Sequence, residues 1–409
     1  MDLRYTEEMK IGIDASFLRK PGNGIGQVTE QTLRALELLP ESTKHQFVLY
    51  LEEYSDTSSL PGNFRKHVFL PSWKRDDIPR RYLWERMLAK KAAEDGCNAF
   101  ISLSQSATVF PHTIPRSEGI RHLMVVHDIV PVLFPAYRRK FTSRLHLGAI
   151  MTAIGKAERI LAVSNTTKRD LELNLGIPSE RISVAYPDCS NRFREPIPEN
   201  DAFRVLGKYD LTSGYIYHGG GLEIRKNTER LLRAYAEILT DRNGDVPPLV
   251  ISGTIHDRRN RMATDVVGII RKLKIQDHVK LLGFVPDEDL PALYKEALFF
   301  VFPSLYEGFG IPILEAFAEG TPVLAGRTAG AVPEVTGHAA LLVETQDISA
   351  IRVGLERLMD DASFRDTLME RGTERVKDFS WEKFAQSLLD ETLKNDDPKD
   401  AVLPETSSI

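Results

Sequence analysis

The sequence predicts an α/β protein made of two doubly wound domains. Three observations point there: short runs that are apolar nearly throughout recur along the chain, amphipathic stretches separate them, and the alternation breaks once near the middle. Such runs read as strands buried on both faces, and strands alternating with helices build a parallel sheet with right-handed crossovers.

In the first half the expected strands are Lys10–Ser16, Gln46–Leu51, His67–Leu70, Asn98–Ser102, His122–Val126, Arg159–Val163 and Ile182–Tyr186. In the second half they are Gly214–His218, Pro248–Ser252, His278–Leu282, Ala297–Phe302, Thr321–Ala325 and Ala339–Val343. The intervening segments carry helical spacing, as in Asn227–Leu239, where Leu231, Leu232, Tyr235 and Ile238 share one face. This is too many strands for one ordinary sheet. Pro187–Leu211, with Pro196 and Pro198 and no strand pattern, is where the chain divides. The expected organisation is a first domain over 1–205, a second over 206–378, a final helix over 379–394 that crosses back to the first, and a disordered tail over 395–409.

Composition narrows the function. The 409 residues carry 53 Lys+Arg and 58 Asp+Glu, a formal charge of −5, with 42% hydrophobic and 27% charged residues. That excludes a largely disordered, collagen-like or coiled-coil chain and gives no reason to expect a nucleic-acid partner. Two cysteines, Cys97 and Cys189, make no disulfide framework and fit a reducing compartment. The opening MDLRYTEEMK is too polar for a signal-peptide core, and the apolar stretches Leu123–Phe134 and Ala297–Phe302 fall short of a bilayer span. The expected location is cytoplasmic, with peripheral contact at the inner face of a membrane open. Lys74, Arg75, Arg80, Arg81, Arg86, Lys90 and Lys91, interleaved with Tyr82 and Trp84, and the segment Arg138–Arg144 would supply that contact or hold a diphospholipid; ordinary solvated helix faces are the other reading.

In open α/β sheets ligands lie outside the carboxyl ends of the strands, so loops after strands carry the search. Phe299–Glu315 reads as a strand, a loop with Gly308 and Gly310, and a helix opened by Pro312. A helix start favours a phosphate. Glu307 before it and Glu315 within it would hold sugar hydroxyls on either side of a diphosphate. Tyr217–Asn227 (YHGGGLEIRKN) follows a second strand: its glycines allow close backbone approach, and Arg225 and Lys226 place two cations there. Such a pair stabilises a leaving diphosphate without a metal. A basic helix start with Asn227 as N-cap is the plainer alternative. His127 ends the strand before it and would donate to a sugar hydroxyl or the acceptor. Because neighbouring strand residues point to opposite faces, Asp128 is expected outside that pocket. Asp287-Glu288-Asp289 spells a D-x-D pair but opens a helix, where acids suit the dipole, so no metal and no cofactor are expected. Gly22-Asn23-Gly24-Ile25-Gly26 departs from the dinucleotide fingerprint in spacing, which argues against a nicotinamide enzyme.

Taken together, the glycine turn with Arg225-Lys226-Asn227, the segment Leu282-Gly283-Phe284-Val285 and the Glu307–Glu315 loop resemble the retaining glycosyltransferases of family 4, over essentially the whole chain. The resemblance implies the GT-B fold, two Rossmann-like domains facing across a cleft, and metal-free transfer of a hexose from a nucleoside-diphosphate sugar. Mannose from GDP-mannose is the donor it suggests, and a glycan or lipid-linked acceptor in polysaccharide biosynthesis the partner. It implies that Arg225 and Lys226 bind the diphosphate, that Glu307 contacts the transferred sugar and Glu315 the ribose, and that His127 lies near the reacting carbon. The backbone at Phe284 and Val285 would lie beside the base. Gly24, Gly220, Gly221, Gly308, Phe309, Gly310 and Ile311 would complete the donor site. Two departures stand out: Gly219 reads as an added flexible point, and Gly326–Glu334 lacks the double glycine often found there, which leaves that loop's contacts to the diphosphate open. A nucleotide-sugar epimerase of the same architecture and a non-catalytic nucleotide-sugar binder are the competing functions.

Overall fold

The structure is a computed structural model that describes residues 8–19, 24–51, 62–68, 78–110, 119–138, 141–256 and 260–394. The expected tail and parts of the basic segments (73–77 and 139–140) lie outside those residues.

Two parallel sheets carry the fold. The first consists of β1 (Lys10–Asp14), β2 (Gln46–Leu51), β3 (Phe64–Val68), β4 (Ala99–Ser102), β5 (Arg121–Val126), β6 (Arg159–Ala162) and β7 (Ile182–Val184), in the order β3-β2-β1-β4-β5-β6-β7. The second consists of β8 (Tyr215–His218), β9 (Leu249–Ser252), β10 (Val279–Gly283), β11 (Ala297–Phe302), β12 (Val323–Gly326) and β13 (Ala340–Val343), in the order β10-β9-β8-β11-β12-β13. Every pairing is parallel, which matches strands apolar on both faces. Both orders reverse direction beside their first strand, between β1 and β4 and between β8 and β11, and these are the crevices where such sheets bind ligands.

Each expected strand is present among the described residues, except that 69–70 of the expected His67–Leu70 strand lie outside them. One is displaced: β3 begins at Phe64 rather than His67. Phe64 pairs in register with Phe47, and their rings stack 4.5 Å apart, so this aromatic pair fixes the start of the strand. The helix Glu199–Lys208 runs across the expected division at 205/206 and packs on the helix Leu290–Lys295 of the second sheet's layer. Lys208 and the Tyr209 hydroxyl both donate to the Asp289 carboxylate, at 2.5 and 2.7 Å.

The final helix, Trp381–Leu393, returns to the first domain and packs on the helix Gly24–Leu38 and on β4, β5 and β6. The Trp381 indole donates to the Cys189 carbonyl at 2.8 Å, and Arg121 donates to the carbonyls of Leu393 and Lys394. One apolar cluster therefore runs from Ile11 and Val125 through Trp381 and Phe384 to Tyr217, Phe300 and Phe317, and so joins the two domains. Among the described residues no helix is long and apolar enough to cross a membrane.

Candidate active site

The carboxyl ends of β5, β8 and β11 face one cleft of about 620 Å³, which falls in the size range of ligand pockets. A hollow of similar size, about 670 Å³, lies by Arg233, Gly244 and His278, away from those strand ends. The cleft is the stronger candidate because the charged groups converge there.

At its centre is a triad of buried Lys226 and Glu307 with partly buried Arg225. One Glu307 carboxylate oxygen forms an ion pair with Arg225 Nη1 at 2.6 Å, and the other accepts from Lys226 Nζ at 2.7 Å. Lys226 also lies 4.8 Å from the centre of the Phe302 ring. Burial disfavours the charge on Glu307, but the fields of Lys226 and Arg225 outweigh it and hold its pKa at about 2. Burial opposes the charge on Arg225 as well, and Glu307 overcomes it, so the guanidinium is held more firmly protonated than usual. At Lys226 burial pulls the pKa down against the same field. Its contact to the ionised Glu307 favours the charged ammonium. The triad then leaves one positive charge in excess beside the cleft.

Local folding explains how these side chains meet. Gly220 and Gly221 have φ of 87° and 102°, which other residues rarely adopt, and they turn the chain sharply after β8. Gly219 has an ordinary φ, is buried, and faces Ser252 and Tyr217, so it is a packing glycine and not the expected flexible point. Asn227 is not a side-chain N-cap. It sits in the left-handed region at φ 61°, and its amide donates to the carbonyls of Pro303 (3.1 Å) and Thr345 (2.7 Å). It thereby ties the Arg225-Lys226 turn to the loop after β11. The Leu305 N–H adds a bond to the Arg225 carbonyl at 2.7 Å.

The donor residues expected from sequence all border this cleft. Gly24 and Ile25 approach from the first domain, although 20–23 lie outside the described residues. Phe284 stands 65% exposed at the rim and Val285 is buried beneath it. Gly310, at φ 114°, caps the helix Ile311–Ala318, with Phe309 and Ile311 on either side. Glu315 lies buried on that helix and accepts from the Tyr294 hydroxyl at 2.8 Å. Burial raises its pKa to about 7, with Tyr294 opposing.

Two expectations in the first domain change. β5 ends at Val126, so the alternation of faces stops there, and Asp128 borders the cleft beside His127 instead of pointing away. His127 Nε2 lies 2.9 Å from the Leu103 carbonyl oxygen, which can only accept, so Nε2 carries the hydrogen. Burial lowers the ring's pKa. The neutral ring therefore offers a ligand the acceptor Nδ1, not the donor expected from sequence. In the D-x-D segment, Asp289 is engaged by Lys208 and Tyr209. Among the described residues no group of three or more His, Cys, Asp or Glu is placed to hold a metal ion.

The domains touch at the site. The Ser164 hydroxyl donates to the Gly308 carbonyl at 2.7 Å, Tyr306 hydrogen-bonds Asp170, and the rings of Tyr186 and Phe309 stack 6.0 Å apart. A Cβ on Gly308 would lie 1.9 Å from the His127 carbonyl oxygen, so only glycine permits this approach.

With this geometry in view, comparison with known proteins identifies the class. A family model described as Glycosyltransferase Family 4 matches residues 22–187, and one described as Glycosyl transferases group 1 matches 203–375. The O-antigen chain mannosyltransferase B of Escherichia coli is 33% identical over 392 residues, covering 91% of this chain and 97% of that protein. The serotype-specific mannosyltransferase WbdA of Escherichia coli is 28% identical over 278 residues, 65% of this chain and 32% of the other. Among solved structures, WaaG, a glycosyltransferase involved in lipopolysaccharide biosynthesis, aligns with a TM-score of 0.72 at 15% identity over 94% of this chain and all of its own. Anabaena HepE in complex with UDP-glucose aligns with a TM-score of 0.68 at 17% identity, covering 93% and 99%. The chain belongs to glycosyltransferase family 4: it is a glycosyltransferase with the GT-B fold.

Two outcomes follow. Gly308→Ala forces the domains apart while leaving Arg225, Lys226 and Glu315 in place; calorimetry should find nucleotide affinity within about threefold of wild type, while transfer falls roughly 10²-fold. Glu315 has its folded pKa raised from 4.5 to about 7. The folded state therefore holds the proton more tightly than the unfolded chain, and this group lowers stability as pH rises from 4.5 to 7, with the cost complete above 7. Glu315→Gln removes that slope, so urea unfolding should show the variant gaining on wild type between pH 4.5 and 8, on the order of 3 kcal/mol.

Proposed function

We propose that the enzyme transfers mannose from GDP-mannose, with retention at the anomeric carbon and without a metal ion, to a glycan or lipid-linked acceptor in polysaccharide biosynthesis. The observation that carries this reading is the Arg225–Glu307–Lys226 triad at a glycine-capped helix start. When the bond from the anomeric carbon to phosphate breaks, negative charge builds on the diphosphate. Two cations already in place, together with the positive pole at the amino end of the helix Ile311–Ala318, stabilise that charge without reorganising. They take the part a metal plays elsewhere. Mannose and a polysaccharide product are favoured by the relatives, which are named as mannosyltransferases, one of them of the O-antigen chain.

The carboxylates favour front-face transfer over double displacement. A nucleophilic carboxylate must be free to attack the anomeric carbon. Both oxygens of Glu307 are held by cations, one oxygen of Glu315 accepts from Tyr294, and Asp128 accepts from the Val130 N–H at 2.9 Å. In front-face transfer the acceptor hydroxyl approaches on the side of the leaving diphosphate. A phosphate oxygen takes its proton as the new carbon–oxygen bond forms and the old one breaks. The protein's task is orientation and charge stabilisation.

The acceptor enters from the first domain. A smaller pocket of about 250 Å³, walled by Ile129, Val132, Ile150 and Met151, opens beside Asp128 and Gln105 and suits an apolar portion of the acceptor. On the helix Phe141–Lys156, Phe141 and Leu145 are 73% and 60% exposed beside an exposed Arg144, which favours peripheral contact with the inner face of a membrane.

The reading is tested by incubating GDP-mannose and a saccharide acceptor with the enzyme in EDTA and assigning the product by NMR. An α-mannoside is expected; a β-mannoside, loss of activity in EDTA, or an epimerised sugar nucleotide without acceptor would each overturn it. Arg225→Ala and Lys226→Ala should each lower turnover by about 10²–10³-fold, the range found for lost oxyanion donors, as measured by GDP release.

A further inference from the structure

Glu334 belongs to the Gly326–Glu334 loop, whose place in the site the sequence left open. It lies on the short helix Val332–Thr336 of the second domain and does not border the cleft. Its carboxylate reaches into the first domain. One oxygen accepts from the Asn165 N–H (2.7 Å), the Asn165 side-chain amide (2.9 Å) and the Tyr186 hydroxyl (2.8 Å). The other accepts from the Thr166 N–H (3.1 Å) and the Thr166 hydroxyl (3.2 Å). On its own side the short helix is anchored by Arg375, which donates to the carbonyls of Glu334 and Val335 at 2.8 and 2.9 Å.

The receiving element is the amino terminus of the helix Asn165–Leu175. The first N–H groups of any helix lack partners within it. Here the N-cap Ser164 satisfies Thr167, at 2.9 Å, and the other domain's Glu334 satisfies Asn165 and Thr166. A negative charge at this end also meets the positive pole of the helix dipole. Burial opposes ionisation of Glu334, and these donors overcome it and lower its pKa. The same turn touches the reaction centre. Ser164 bonds the Gly308 carbonyl, and the Thr167 hydroxyl lies 3.2 Å from the His127 carbonyl and 3.3 Å from that of Gly308.

From this arrangement we infer that Glu334 is a positioning residue for transfer: by completing the amino end of the helix Asn165–Leu175 across the domain gap, it holds the Glu307–Gly310 loop against His127 and Asp128. The donor-binding groups sit on the second domain and His127 and Asp128 on the first. Loss of the clamp misaligns the two halves without removing a donor contact. The inference rests on the cleft being the transfer site.

Two variants of the full chain test it. Glu334→Gln replaces the anion with an amide that cannot accept from all five donors. Tyr186→Phe removes one donor and keeps the ring on Phe309. The expected result for Glu334→Gln is turnover lower by roughly tenfold to 10²-fold. GDP affinity stays within about twofold, and FRET between one dye on each domain reports a wider separation. Tyr186→Phe shifts turnover the same way by about threefold, the worth of one hydrogen bond. Turnover within about twofold of wild type for Glu334→Gln, or turnover, affinity and melting temperature falling together, overturns the inference. Unchanged FRET overturns it whatever the donor, because the separation is read without one. A change in FRET with no turnover of GDP-mannose in wild type would fault the donor assignment and leave the clamp standing.

Discussion

The site depends on a buried carboxylate that neutralises one of two neighbouring cations. Arg225 and Lys226 are adjacent in sequence, and placing both charges in a low-dielectric cleft would be costly alone. Glu307 binds each through a separate oxygen, which makes the pair tolerable and fixes its direction. The excess charge that remains suits a diphosphate. Much of the surrounding architecture serves this contact. Gly220 and Gly221 turn the chain, Asn227 ties that turn to the loop after β11, and the Glu307 carbonyl accepts from the Ala331 N–H at 2.9 Å, pinning the carboxylate's own loop to the segment after β12.

The second constraint is how the halves of the cleft are brought together. Gly308 lies against the His127 carbonyl with no space for a side chain. The triad and the first-domain groups His127 and Asp128 thus share one cavity only while the domains stay closed. The apolar cluster through Trp381 and Phe384 joins the domains through their cores, and the contacts of Ser164, Tyr306 and Glu334 join them at the cleft. The first is hydrophobic; the second is polar and confined to a few groups. That division suits a molecule that opens to admit substrate and closes to react.

Much of this was legible in the sequence because strands apolar on both faces leave an unmistakable trace, and because a strand, a glycine turn and a charged residue leave a recognisable order. The strands of the described residues all carry that trace, and the donor-site residues it points to share one cleft. The failures have a common physical origin in contacts between distant segments. β3 starts at Phe64 because of Phe47, which periodicity alone does not weigh. Asp128 enters the cleft because β5 stops one residue before His127. His127 loses its donor to Leu103, through a partner that spacing cannot reveal. Asn227 looked like a helix cap and is a tie between loops. Glu334, nearly 170 residues from Asn165 in the chain, carried no local signal of its partner beyond lying in a loop after a strand.

Whether the triad acts as one unit is tested most directly by a double-mutant cycle on transfer rate with Lys226→Ala, Glu307→Gln and the two combined. If Glu307 serves chiefly to hold the cations, each single change slows transfer by about 10²–10³-fold, and the combined variant is within about threefold of the slower single one. Losses that multiply to roughly 10⁴-fold or more would mean that the residues act independently, and would contradict the account.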